Sequence, residues 1–272
     1  MPWAVLTPKH AGWFRTSALL AGASLAIFVV WSWWTPWSPG RAGGLAFGTA
    51  AAAILYLDAL YPLRRRLLAW PLRNAQQWLQ FHIYAGLLGT LFVLIHTGFS
   101  LPHGQFGWWL LGLTVWATAA GLFGVYLQKH VPDVLAHHLS VEAIYERIPE
   151  LSARLKTEAD QLITGAPEVL RRFYLTHVRA ELDHLSPAWS YVVGFRPQIN
   201  RRVEVFREVA TFLSPDERVR LNGLQTILSE KLELDVHYSL QRLLRQWVAV
   251  HVIPAILLLG LLTVHIVSVL IF

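Results

Sequence analysis

The chain contains no cysteine and few charged residues. None of its 272 residues is cysteine, and 15% are charged. Without cysteine there are no disulfides, no cysteine-ligated iron–sulfur clusters and no covalent c-type haem, which needs a C-x-x-C-H attachment site. Outside residues 129–246, Asp58 is the only acidic residue. Prosthetic groups that depend on thiolates are therefore excluded, and carboxylate sites are nearly excluded from most of the chain.

Apolar residues make up 54% of the sequence, and thirteen are tryptophan. A helix crosses a bilayer with about 20 mainly apolar residues, and tryptophans cluster at span ends. The sequence predicts an all-α integral membrane protein with five transmembrane helices. Their predicted ranges are Ser17–Trp34, Gly44–Tyr61, Trp78–Phe99, Trp108–Gln128 and Trp247–Leu270. The first range is interpreted as a mature helix, because its apolar run from Ala18 to Trp34 is too long for a signal peptide.

The net charge of +6 comes entirely from outside the segment 129–246, which is neutral. Basic residues elsewhere are Lys9, Arg15, Arg41, Arg64, Arg65, Arg66 and Arg73. All but Arg41 precede the first span or lie between the second and third. The positive-inside rule then predicts a cytoplasmic N-terminus and insert and a periplasmic C-terminus, in a bacterial inner membrane. Topology accounts for the basic surplus, so no nucleic-acid partner is expected.

Three regions follow from this pattern. Residues 1–128 form a membrane domain of four helices, residues 129–246 form a mostly helical cytoplasmic insert, and residues 247–272 supply the fifth transmembrane helix. In the insert, Pro149 argues against one unbroken helix and can open a second. From about Pro215 the pattern is helical into the fifth span, which predicts one long helix.

Two histidine pairs carry the functional signal. His82 and His96 lie fourteen residues apart in the third span, and His251 and His265 repeat this spacing in the fifth. Fourteen helical residues advance about 21 Å and end about 40° short of four full turns, so each pair occupies one helix face. The third and fifth spans run in the same direction. His82 therefore pairs with His251, and His96 with His265. We expect two haems, each with histidine on both sides of its iron.

Gly86 and Gly89 lie between His82 and His96 on the same helix face. Small residues there can admit a flat macrocycle to the backbone, and we therefore include both among the cofactor-binding residues. The alternative is ordinary glycine-mediated helix packing. In the fifth span, Pro254 is expected to free a backbone carbonyl close to His251.

The two H-x13-H helices resemble those of transmembrane dihaem cytochromes b, including cytochrome b of the bc complexes and ferric-reductase-like membrane domains. The resemblance covers about residues 78–128 and 247–272. It implies that His82, His96, His251 and His265 ligate two b haems. The chain departs from these families because it has no PEWY-type quinol-oxidation motif and no flavin or nicotinamide domain.

The sequence thus predicts transmembrane electron transfer by a membrane subunit of a larger redox complex, with no catalytic residues of its own. Expected partners are membrane lipid, a cytochrome c or iron–sulfur protein, and quinone. Two other functions stay open: a histidine-lined proton or metal transporter, and a membrane anchor for the insert. His103 is a candidate contact for a propionate or quinone but is better explained as a loop residue. Arg242 and Arg245 are candidate propionate partners, and Asp58 is expected to pair with the nearby arginines.

Overall fold

The computed structural model describes residues 11–63, 75–138, 145–183 and 205–271. Within these ranges 89% of the residues are helical and there is no strand, which confirms the all-α prediction for this part of the chain. Some predictions concern residues outside these ranges: Lys9, the arginines Arg64, Arg65, Arg66 and Arg73, and the pairing of Asp58 with these arginines.

Eight α-helices are labelled here in chain order. They are α1 (Ala11–Trp34), α2 (Ala42–Ala59), α3 (Ala75–His96), α4 (Gln105–His138), α5 (Ile148–Ile163), α6 (Glu168–Phe173), α7 (Arg179–Asp183) and α8 (Pro215–Ile271). Short 3-10 turns cover Tyr61–Leu63 and Tyr145–Arg147, a π-helical turn covers Tyr174–Val178, and residues 205–210 are helical.

Five of these helices contain segments long and apolar enough to cross a membrane, as the sequence predicts. The segments are Gly12–Trp34, Ala42–Ala59, Gln76–His96, Gln105–Lys129 and Pro215–Ile271. The fold is therefore compatible with an integral membrane protein.

The chain divides into two compact units. The first comprises residues 1–127 and 247–272, and the second comprises residues 128–246. In the first unit α1 and α2 both pack against α3. Helix α3 ends at His96 because Gly98 adopts a left-handed conformation (φ +64°), which lets the amide of Phe99 donate to the carbonyl of Leu94 at 2.8 Å.

The second unit has its own apolar core. Leu155, Ala159 and Ile163 follow one another at helical spacing on α5 and are buried. They belong to the same cluster as Leu170 of α6 and Leu224 of α8. Pro149 is the second residue of α5, so the helix opens there as predicted, since proline lacks an N–H that this position does not use.

The prediction of one long helix near the C-terminus is also confirmed, because α8 runs unbroken from Pro215 to Ile271 with Pro254 inside it. In the second unit this helix carries a buried ion pair. Lys231 Nζ lies 2.6 and 2.7 Å from the two carboxylate oxygens of Asp235, and both side chains are 1% exposed.

Candidate functional site

The structure brings the four histidines together in the two predicted pairs. The ring centres of His82 and His251 are 6.2 Å apart, with ring planes at 89°. Those of His96 and His265 are 6.5 Å apart, with planes at 73°. All four residues belong to the first unit. The two pairs form two sites, called here the inner site (His82, His251) and the outer site (His96, His265).

These distances fit two imidazoles on opposite sides of one metal ion. An imidazole nitrogen binds a metal at about 2 Å and lies about 1.1 Å from its ring centre, so two trans imidazoles have ring centres about 6 Å apart. Within the described residues, α3 packs closely on α1 and α2 and makes no comparably close backbone approach to α8. The gap between α3 and α8 is bridged by histidine rings.

Each site offers two protein ligands. Within the described ranges there is no group of three or more His, Cys, Asp or Glu residues that could hold a metal ion. A bare transition-metal ion in a protein usually takes three or four such ligands. A haem brings four nitrogens in its macrocycle and needs only two axial ligands from the protein. The donor set therefore fits a haem better than a bare ion.

Helix α2 places an oxygen atom close to Nδ1 of each histidine of α3. Oδ1 of Asp58 lies 2.9 Å from Nδ1 of His82. Nδ1 of His96 donates to the backbone carbonyl of Gly44 at 2.8 Å. Metal-binding histidines in proteins are held in this way, with the second ring nitrogen facing a carboxylate or carbonyl. At His96 the hydrogen bond keeps the proton on Nδ1 and leaves Nε2 as the atom that can bind a metal.

Helix α4 packs against His251 and its neighbour Trp247. The Trp247 and His251 rings stack with centres 5.8 Å apart and planes at 15°. Trp247 Nε1 donates to the carbonyl of Ala120 at 2.7 Å. A Cβ at Gly124 would lie 1.8 Å from Trp247 Cζ2, so only glycine leaves room for this indole. The glycine thereby fixes one wall of the inner site.

Aromatic rings also lie beside two other site histidines. Tyr61 stacks on His82 with ring centres 4.6 Å apart, and Phe106 of α4 lies 6.2 Å from the ring of His265. These contacts restrict the rotation of both imidazoles.

Pro254 frees a carbonyl close to His251, as the sequence predicts. Proline has no N–H, so the carbonyl of Val250, four residues earlier, loses its helical partner. In the structure Trp116 Nε1 of α4 donates to this carbonyl at 3.1 Å. The freed acceptor thus becomes a contact between α4 and α8.

Gly86 and Gly89 face α2 in this structure. A Cβ at Gly86 would lie 3.1 Å from Asp58 Oδ2, and one at Gly89 would lie 3.2 Å from Ile54 Cγ2. This is the helix-packing alternative considered for these glycines. Their contact with a cofactor stays a prediction.

The structure places the carboxylate of Asp58 beside His82. Its predicted pairing with the arginines that follow α2 involves residues outside the described ranges and stays a prediction. The sequence signal of Asp58 is that it is the only acidic residue within the predicted spans. The carbonyl of Gly44 has no such signal, because every residue has a backbone carbonyl.

The remaining candidates are not part of either histidine pair. His103 is exposed in the loop between α3 and α4. In the second unit Arg245 donates to Glu146 at 2.5 Å and lies 4.0 Å above the ring of Tyr145. Arg242 is exposed. Their pairing with propionates stays a prediction.

Comparison with known proteins gives no further assignment: no family model matches the chain, and no curated protein or solved structure is similar to it. The resemblance to dihaem cytochromes b therefore depends on the spacing of the four histidines.

Proposed function

We propose that the chain binds two b-type haems between α3 and α8 and conducts electrons across a membrane, as one subunit of a larger redox complex. The observation that carries this proposal is the pairing of four histidines at ring-centre distances of 6.2 and 6.5 Å. The two sites are separated by fourteen residues of helix, about 21 Å along α3, so a relay with two stops would cover most of a bilayer.

A bound haem supplies reversible one-electron chemistry, and the protein's share is to hold and tune it. His82 and His251 would hold the inner haem, and His96 and His265 the outer one. Because histidine would fill both axial positions at each site, no position remains for oxygen or a substrate. Asp58 and the carbonyl of Gly44, each beside Nδ1 of an α3 histidine, would orient the two rings.

A relay takes electrons from a donor and passes them to an acceptor. We propose quinone at one membrane surface and a cytochrome c or iron–sulfur partner at the other. We propose a bacterial inner membrane, with the N-terminus and insert in the cytoplasm and the C-terminus in the periplasm; the distribution of basic residues favours this orientation.

Haem content of the full chain tests the proposal directly. The protein is expressed with ample haem supply, purified in detergent, and assayed by the pyridine haemochrome method and a dithionite-reduced difference spectrum. We expect two b haems per chain. His82→Ala and His265→Ala should each lose one, because each removes one of the two axial ligands of a single site.

His103→Ala is the matched control, because His103 is an exposed loop histidine of the same unit. It should retain both haems. A wild-type protein without haem would overturn the proposal. Loss of haem in His103→Ala equal to that in His82→Ala would remove the assignment of the ligands.

A proton path is the second candidate, and the contact between Asp58 and His82 is the observation that favours it. A carboxylate and an imidazole 2.9 Å apart within a predicted span are typical of proton relays. This function needs no haem. The test is purified protein in vesicles. Protein that lacks haem but changes the internal pH of the vesicles would support this function over the relay, provided that Asp58→Asn abolishes the pH change.

A further inference from the structure

The inner and outer sites differ in the group that faces the α3 histidine. At the inner site this group is the carboxylate of Asp58, with Oδ1 2.9 Å from His82 Nδ1. At the outer site it is a neutral backbone carbonyl, that of Gly44, 2.8 Å from His96 Nδ1. The Asp58 side chain is only 12% exposed, so water screens its charge poorly.

The carboxylate of Asp58 also lies close to the backbone of α3. A Cβ at Gly86 would lie 3.1 Å from Asp58 Oδ2, so a side chain at that position would press on the carboxylate. Tyr61 stacks on the His82 ring with centres 4.6 Å apart. The imidazole therefore contacts Tyr61 through a ring face and lies beside Asp58 at Nδ1.

We infer that Asp58 is a positioning residue that makes the two sites unequal, so that a haem at the inner site has the lower reduction potential. This inference rests on the proposed function, because a reduction potential requires a bound haem. It also gives the relay a preferred direction, which the sequence does not reveal.

The sign follows from two effects that act together. A carboxylate 2.9 Å from Nδ1 favours positive charge on the imidazole, so the ring becomes a stronger electron donor through Nε2. A negative charge close to the iron also stabilises the oxidised state, which carries one more positive charge. A carbonyl dipole supplies both effects more weakly. A single electron shared by the two sites would therefore reside mainly at the outer site.

The test is a spectroelectrochemical titration of the purified full chain. We expect two one-electron steps in the wild-type protein. In Asp58→Asn, which keeps the size of the side chain and removes its charge, the lower step should move upward. The reduced-to-oxidised ratio at fixed potential should rise at least tenfold, equivalent to about 59 mV for one electron. The upper step should stay in place.

Single-site backgrounds assign the shift. In His265→Ala, which keeps only the inner site, Asp58→Asn should produce the full shift. In His82→Ala, which keeps only the outer site, it should produce none. Asp58→Glu retains the charge and should leave the lower step close to its wild-type position. Asp58→Gln is the second charge-free variant if Asp58→Asn does not accumulate in membranes.

The outcomes separate this inference from the proposed function. Wild-type protein without haem would overturn both. Two haems in Asp58→Asn with both steps unmoved would overturn only the role of Asp58. A shift that persists in His82→Ala would do the same, because it would not act through His82. Loss of the inner haem from both charge-free variants would show that haem binding itself requires Asp58, and would overturn the inference that Asp58 sets the difference in potential.

Discussion

A histidine that binds a metal through Nε2 is oriented by the group at Nδ1, so single residues close to that atom have large effects. For His96 the acceptor is the carbonyl of Gly44, and the space for the ring is provided by Gly48. A Cβ at Gly48 would lie 2.6 Å from His96 Nδ1 and 2.8 Å from Cε1. Both distances are shorter than van der Waals contact, so the ring can occupy its position only while residue 48 lacks a side chain.

Gly48→Ala should therefore displace the His96 ring and break its hydrogen bond to Gly44. We expect the purified variant to lose one of two haems, the outer one, and to keep the other. Haemochrome content and the number of one-electron steps measure this. Gly112→Ala is the matched control, because nothing lies within 4 Å of a Cβ there. Two haems in Gly48→Ala with unchanged potentials would show that the His96 ring is not held as described.

At the residue scale, the sequence predicts which side chains share a helix face, because the helical period determines this. A spacing of fourteen residues is close to four turns, and that alone puts His82 and His96 on one face. It does not reveal the depth of α2 relative to α3, which depends on side-chain packing between the two helices. The contacts of Asp58 and Gly48 with α3 therefore needed the structure.

At the scale of whole elements, the contact between α4 and α8 depends on the defect that Pro254 makes in α8. The carbonyl of Val250 loses its helical donor and accepts instead from Trp116 Nε1 at 3.1 Å. In a bilayer, water cannot replace a lost partner, so an unpaired carbonyl is costly. The proline predicts the free carbonyl, but nothing in the sequence identifies Trp116 as its donor.

A double-mutant cycle should show this coupling. Trp116→Phe removes the donor and leaves the carbonyl of Val250 unpaired, which should lower the free energy of unfolding by about 1–3 kcal/mol. In a Pro254→Ala background the restored N–H at position 254 satisfies the same carbonyl, so Trp116→Phe should cost less. Unfolding in detergent gives the four free energies. Equal costs in both backgrounds would contradict the proposed link between Pro254 and Trp116.

In the second unit, a buried tyrosine gives the π-helical turn a distinct pH dependence. Burial raises the pKa of Tyr174, and the raised value is reinforced by its hydrogen bond to Asp160, to which the hydroxyl donates at 2.5 Å. The folded state then keeps a proton that the unfolded chain releases above about pH 10. The contribution of this group to stability is full below that pH and is lost as pH rises toward the folded pKa.

Tyr174→Phe should therefore be less stable than wild type at neutral pH, because Asp160 loses its donor, but should lose stability less steeply above pH 10. The measurement is the free energy of unfolding of the full chain from pH 8 to 11, with tyrosinate absorption followed in parallel. The gap between the two proteins should narrow as pH rises. Parallel curves would show that Tyr174 keeps no raised pKa in the folded protein.

At the scale of the whole molecule, the two units differ in net charge. Segment 129–246 is balanced between acidic and basic residues, while the rest of the chain carries the surplus of +6. The compact units found in the structure divide at residues 127/128 and 246/247, where this charge pattern also changes. Because a bilayer excludes charge, the charge pattern predicts a boundary at the two ends of this segment. The internal packing of the insert is not, since many helical arrangements would bury the same apolar faces.

Membrane orientation is the prediction that belongs to the whole molecule. Because the chain contains no cysteine, single introduced cysteines can be labelled to test it. Ser100 is exposed in the loop after α3, and the Phe212 side chain is 84% exposed in the second unit. In intact cells with a permeable outer membrane, a maleimide that cannot cross the inner membrane should label Ser100→Cys and spare Phe212→Cys. Lysis should then expose both to the reagent.

The wild-type chain is the control, because it offers no thiol and should stay unlabelled throughout. The expected pattern follows from six basic residues placed before the first predicted span or between the second and third, against one on the opposite side. The reverse pattern, with Phe212→Cys labelled in intact cells, would show that the membrane orientation is opposite to the predicted one. It would put the outer histidine pair at the cytoplasmic surface, and the preferred direction set by Asp58 would then run inward.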